Sequence, residues 1–212
     1  MPGRPGRSYW AHGFMEYFNQ TLFIWLNAPH YPNGMVVGLA IFLAEWLIWL
    51  VPVSISLCWL RGDAATRKTM LVASISGLLA LLFAQLIGLA WMHPRPFMIG
   101  MGTTLIPHVA DSSFPSDHLT LWWAVAFSLL LDAGVRRLGI ALALVGVPMA
   151  WSRIYLGVHF PLDMLGAAIV AAVSAWLALA ATGFYLEQLF QLASGIHRLL
   201  FSRLILIGWI RQ

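Results

Sequence analysis

Four short stretches carry side chains able to move a proton or hold a charged oxygen. They are HPRP at 93–96, PSDH at 115–118, SR at 152–153 and HFPLD at 159–163. In the last, His159 and Asp163 frame Pro161, a favoured first residue of a helix. A carboxylate beside one imidazole nitrogen fixes the tautomer and stabilises the imidazolium, leaving the other nitrogen to attack or to shuttle a proton. In PSDH, Ser116 suits the N-cap of the apolar run that follows, which leaves the amides of Asp117 and His118 at a helix N-terminus. Such a terminus binds anions through its unpaired N–H groups and its dipole. Arg95, locked between Pro94 and Pro96, and Arg153, after Ser152, offer forked donors suited to phosphate oxygens.

Each stretch also has a plainer reading. Ser-Asp before an apolar run is a common helix start. An arginine near a membrane surface snorkels to headgroups. Asp163 suits a cap, with His159 an interfacial imidazole. Whether the stretches act together depends on the elements that carry them.

Those elements are membrane helices. Of 212 residues 60% are hydrophobic and only 9% charged, and the mean hydropathy is +0.80. A soluble domain carries roughly 25% charged residues, so the chain reads as an all-α, polytopic helix bundle in one domain. The formal charge of +4 suits anionic lipid, but the basic residues are too scattered for nucleic acid. Cys58 is the only cysteine, which excludes an internal disulfide and a cysteine-based metal site. Residues 13–28 contain Glu16, Asn19 and Gln20, a poor signal-peptide core, and no cleavage is expected.

A spanning helix needs roughly 20 apolar residues, fewer when its polar ends are held inside protein. Met35–Leu60, Met70–Met92 and Leu162–Phe184 meet that length, while Leu119–Leu131 and Leu138–Trp151 reach it only with their polar flanks. Residues 14–28 read as an interfacial helix, 35–184 as the core bundle, and 186–209 as a sixth span or a second interfacial helix. Five to six spans result. Arg61, Arg67 and Lys68 in one loop and Arg136 and Arg137 in another place both loops in the cytoplasm by the positive-inside rule. All four chemical stretches then arrive on the opposite, extracytoplasmic face. Charges near a bilayer are costly, so their convergence argues for function. Two histidines, two arginines and a helix N-terminus on one face suit phosphoryl transfer.

HPRP, PSDH and SRIYLGVHFPLD together resemble the three-part signature of the type 2 phosphatidic acid phosphatase superfamily. The resemblance covers roughly Gln85 to Asp163, and the Ser-Arg, His, Asp spacing of the third part is its demanding element. The aspartate in PSDH is similar to the bacitracin-resistance branch, undecaprenyl diphosphate phosphatases acting on the lipid carrier of peptidoglycan biosynthesis. The resemblance implies that His159 forms a phosphohistidine, that Asp163 orients it, and that His118 protonates the leaving oxygen and then activates water. It also implies that Arg95, Ser116, Arg153 and the amide of His118 hold the phosphoryl oxygens, with no metal or other cofactor. Asp117 replaces the family's glycine, and Ser152 is assigned to positioning backbone. The implied partner is a polyprenyl diphosphate in the bacterial inner membrane.

One position departs from the pattern. The family's first motif usually carries a lysine seven residues before the arginine, where this chain has Gly88. Lys68, the only lysine, belongs to the opposite loop, and His93 is the nearest candidate to compensate. Glu45, mid-span in IFLAEWLIWL, is an accessory candidate because intramembrane acids are usually functional. Gln85 and Asp111 are weaker ones. Other lipids (phosphatidylglycerol phosphate, phosphatidic acid, lipid A) fit the same chemistry, as does transfer to an acceptor lipid. A metal-binding transporter using His93, His108, His118 and His159 is the rival of a different class.

Overall fold

The computed structural model describes residues 7–208 and 210. The basic stretch 1–6 lies outside them. Every regular element among the described residues is helical, in the order α1 (Arg7–Leu26), α2 (Gly34–Ile41), α3 (Leu50–Arg61), α4 (Ala64–Ala90), α5 (Asp117–Leu130), α6 (Arg136–Tyr155), α7 (Pro161–Ala180) and α8 (Thr182–Leu206). A π-helical turn at Phe42–Trp46, centred near Glu45, and a short 3₁₀ turn join α2 to α3 into one rod. That rod, α4, α6 and α7 are long and apolar enough to cross a membrane. The expectation of a polytopic helical bundle holds.

The middle of the bundle belongs to α5. It has 14 residues, about 21 Å of helix, too short to cross hydrocarbon alone. It survives because α4, α6 and α7 surround it and satisfy its polar groups. Leu119, Trp122, Val125, Ala126 and Leu129 are fully buried there, and the Trp122 indole donates to the Leu142 carbonyl on α6 at 2.7 Å. Small residues let the backbones meet. A Cβ on Gly139 would stand 2.6 Å from the Leu130 nitrogen, so only glycine permits this α5–α6 approach.

The chain direction sorts the connections. Those after α3 and α5 share one end, tied by the Thr69 hydroxyl donating to Asp132 at 2.6 Å. The 91–116 and 156–160 connections share the other end, where Leu105 N–H donates to the Leu156 carbonyl at 3.0 Å. There Asn19 of α1 accepts the Leu162 N–H, one of the unpaired amides that open α7, at 3.0 Å. Phe23 of α1 packs edge-on against Phe160, so α1 lies over the end where the motifs meet. At the far end α8 touches the α3–α4 corner twice: Glu187 pairs with Lys68 at 2.8 Å, and buried His197 meets Trp59 and Arg67. Those two residues are about 15 Å apart along the helix, so α8 lies across the end of the bundle.

Candidate active site

His159 sits in the short α6–α7 connection and is buried. Gly157, two residues earlier, takes a positive φ of 81° with its Cα against the Thr103 carbonyl, where a Cβ would collide at 2.2 Å. That turn aims the imidazole into the bundle. Its Nδ1 lies 3.0 Å from the Ser113 carbonyl oxygen and 3.2 Å from Asp163 Oδ2. Both are acceptors, so Nδ1 carries the proton and Nε2 keeps a lone pair. Nε2 faces Arg95 Nη1 at 3.0 Å.

Asp163 does two jobs. As the third residue of α7 it accepts the Phe160 N–H at 2.7 Å, the plain capping role. The same oxygen receives the Ser113 hydroxyl in a short hydrogen bond and faces the His159 ring. Capping and imidazole orientation are therefore one arrangement here.

Arg95 is buried and nearly saturated. Its Nε pairs with Asp111 at 2.7 Å, Nη1 donates to the Val158 carbonyl at 2.9 Å, and Nη2 donates to the Ser112 carbonyl at 3.2 Å. Arg153 is buried at the last turn of α6, yet its Nε has no partner, and Nη2 meets His108 Nε2 at 3.2 Å. Ser116 occupies the N-cap position of α5, but its hydroxyl does not bond the helix amides as the sequence led us to expect, and is buried without a partner. The α5 amides and the hydroxyl thus remain available to an oxyanion. His118, the second residue of α5, lies within electrostatic reach of Arg153, His108 and Arg95.

Burial pushes the His159 imidazole well below its ordinary value of 6.5, and Arg153, Arg95 and the other histidines add to the effect. Burial also lowers His108, helped by Arg95 and Arg153 and opposed by its Val109 carbonyl bond and by Asp111. His159 is therefore neutral at neutral pH, the form in which Nε2 is a nucleophile.

Arg95, Ser116, His118, Arg153, His159 and Asp163 come together from four separate segments. Asp117 stands at the edge and turns its carboxylate to Gln85 on α4, which donates to it at 3.0 Å. The two residues, with Gly88, Asp111, Ser112 and Phe114, line a cavity of about 300 Å³ beside the site. Ser152 donates to the Met149 carbonyl within α6. His93 turns instead to Glu16 of α1, 3.5 Å away, and packs on Trp91 and Phe160. Glu45 is exposed on the π turn, with Arg153 in electrostatic range. Lys68 is at the opposite end. Ser113 escaped sequence reading, because nothing in SSFPSDH separates it from Ser112, and His108 had entered only as a metal ligand.

A family model described as the PAP2 superfamily matches residues 69–186. The chain belongs to the PAP2 superfamily. Its relatives include YbjG of Escherichia coli K12, 36% identical over 93% of this chain and all of that protein. The undecaprenyl-diphosphatase BcrC of Bacillus subtilis is 35% identical over 75% of this chain and 81% of its own length. Among solved structures, Aquifex aeolicus LpxE superposes with a TM-score of 0.62 at 19% identity, covering 77% of this chain and 95% of its own, a likeness of fold. Family membership and the spanning helices make this chain a multi-pass membrane lipid phosphatase.

Proposed function

We propose that this PAP2 protein hydrolyses undecaprenyl diphosphate to undecaprenyl phosphate and inorganic phosphate, on the extracytoplasmic face of a bacterial inner membrane. The observation that carries the chemistry is the His159 ring, with Nδ1 bound to two acceptors and Nε2 beside Arg95. The substrate reading leans on BcrC, and the face on the basic residues at the far end of the bundle.

In the first step a terminal phosphate oxygen takes the Arg95 donor that Nε2 faces, and Nε2 attacks the terminal phosphorus. The bond from phosphorus to the bridging oxygen breaks. His118, which takes up a proton once the bound diphosphate offsets the charge of Arg153 and Arg95 beside it, gives that proton to the bridging oxygen as the lipid monophosphate leaves. Asp163 stabilises positive charge on the phosphorylated imidazole through the Nδ1 proton. In the second step neutral His118 takes a proton from water, the water oxygen attacks phosphorus, and the P–N bond breaks to free phosphate and restore His159. Arg95, Arg153, Ser116 and the α5 amides hold the equatorial oxygens throughout, the electrostatic task that dominates phosphoryl transfer.

The test is phosphate release by purified protein, with chelator present, from a polyprenyl diphosphate and from phosphatidic acid. A rapid acid-free quench searches for phosphohistidine alongside. Diphosphatase activity, with label on the parent and none on His159→Ala, supports the reading. Preference for phosphatidic acid would replace the substrate, and a fully active His159→Ala would remove the nucleophile.

A further inference from the structure

We propose that His108 and Arg153 form a subsite for the second phosphate, the one that stays on the lipid, so that His108 sets the preference for diphosphorylated over monophosphorylated headgroups. This deepens the proposed function and rests on its placement of the transferring phosphate against His159 Nε2.

Three observations point to it. The first is position. The rings of His108 and His159 are 6.1 Å apart between centroids, so His108 stands beside the reacting nitrogen although it belongs to none of the four stretches that carry the chemistry. The second is unspent bonding capacity. Arg153 is 2% exposed, and among the described residues its Nε has no partner and the one side chain bonded to its guanidinium is His108, at 3.2 Å. A buried guanidinium with a spare donor is costly unless an anion completes it. Arg95, by contrast, has its donors directed to Asp111, Val158, Ser112 and His159, so it is Arg153 that can give Nε to the transferring group and Nη2 to the next phosphate.

The third is how firmly His108 is presented. Thr103 is pinned to Asn27 by bonds of 2.7 and 2.9 Å, Leu105 N–H to the Leu156 carbonyl at 3.0 Å, and Asp111 to Arg95. Ile106 is buried between these anchors. The His108 ring then leans into the site with Nδ1 3.1 Å from the Val109 carbonyl, which makes Nδ1 the donor and leaves Nε2 as the group facing Arg153.

A diphosphate headgroup changes that pair. Its retained phosphate takes the Arg153 Nη2 donor that faces His108, while Nε holds the transferring group, and His108 Nε2 takes a proton, from solvent or from the headgroup's own last acidic oxygen, to become a second donor. The charged and titratable groups facing His108 are Arg95, Arg153, Asp111, His118 and His159; the arginines oppose its protonation and the added phosphate charge favours it. A monophosphate fills the place beside Nε2, takes the Arg153 Nε donor, and leaves His108 without a ligand.

The experiment measures inhibition by methylenediphosphonate, which cannot be hydrolysed, and by methylphosphonate, against whichever lipid phosphate the parent turns over. Parent, His108→Ala and His108→Gln are compared in detergent. His108→Ala should weaken methylenediphosphonate about tenfold, the worth of one hydrogen bond to a charged group, and leave methylphosphonate within about twofold. His108→Gln, a neutral donor of similar reach, should recover part of the loss. Equal weakening of both phosphonates, or of neither, overturns the subsite. A parent that hydrolyses only monophosphorylated lipids overturns the proposed substrate instead, and the phosphonate comparison still decides what His108 does.

Discussion

The bundle buries a histidine with an arginine at each of its ends, and the proposed reaction uses only one of the two pairs. At the α8 end, Trp59 Nε1 and Arg67 Nη2 reach the two ring nitrogens of His197 at 3.2 and 3.3 Å, and Arg67 Nε donates to the Trp59 carbonyl. That cluster fastens α8 to the α3–α4 corner. At the other end His159 spends one nitrogen on Ser113 and Asp163, while Arg153 Nε and the Ser116 hydroxyl are buried without partners among the described residues. Residue type and burial are alike in the two places. What separates a structural pair from a reactive one is bonding capacity left unspent, since a buried donor without a partner costs about 1–3 kcal/mol and persists where a ligand completes it.

The sharpest way to break this comparison is to remove each histidine. His159→Ala should lower turnover about 10⁴-fold or more, as loss of a nucleophile does. His197→Ala should leave kcat within about twofold and cost about 1–3 kcal/mol of stability, because it removes the ring that Trp59 and Arg67 both reach. Turnover and a melting curve on both variants check this. A His197→Ala protein as inactive as His159→Ala would show that the α8 end is coupled to the chemistry.

The pH profile sharpens the same contrast. The proposed reaction needs His159 neutral, and burial together with Arg153 and Arg95 holds it well below 6.5. Protonation is therefore delayed, so activity persists as pH falls past the ordinary histidine range and is lost only on passing through the lowered value. The acid limb of kcat/KM should lie below pH 6.5. A limb at or above that value, with chemistry limiting, would mean that the ring is far more hydrated than its burial implies.

Ser113 tests how much orientation is worth. Its carbonyl holds the Nδ1 proton and its hydroxyl holds Asp163. Ser113→Ala keeps the carbonyl and removes the hydroxyl, so the tautomer survives while the carboxylate loosens. We expect kcat to fall about tenfold with KM unchanged, the value of one hydrogen bond to a charged group. A matching rise in KM would assign Ser113 to binding.

Sequence spacing made the helices and the convergence of motifs legible for definite reasons. Apolar runs near spanning length predict helices, and the alternating direction of the spans carries HPRP, PSDH, SR and HFPLD to one end whatever the packing details. Long-range pairings were not legible. Whether Ser113 or Ser112 faces His159, whether His93 or His108 enters the site, and that α8 lies across an end all depend on side-chain direction across elements distant in sequence. Ser116 shows the same limit: a serine before a helix predicts a cap, yet its hydroxyl bonds none of the amides it precedes.

The smallest expected effect concerns Asp117. A carboxylate in the first turn of α5 suits the helix dipole but repels a phosphate bound at the same terminus. Gln85 resolves the conflict by donating to Asp117 from α4, which draws the carboxylate over the cavity beside Gly88. Gln85→Ala releases it, and the freed charge then competes with the incoming phosphate for the α5 amides. KM should rise about threefold with kcat nearly unchanged, since a repulsion from a half-buried carboxylate that solvent still screens is worth about 1 kcal/mol or less. Asp117→Asn in the same background should restore the parent KM, because it removes the charge without the bond. A KM unmoved by Gln85→Ala would mean that α4 does not govern where the Asp117 carboxylate points, and that the dipole alone reconciles the acid with the phosphate.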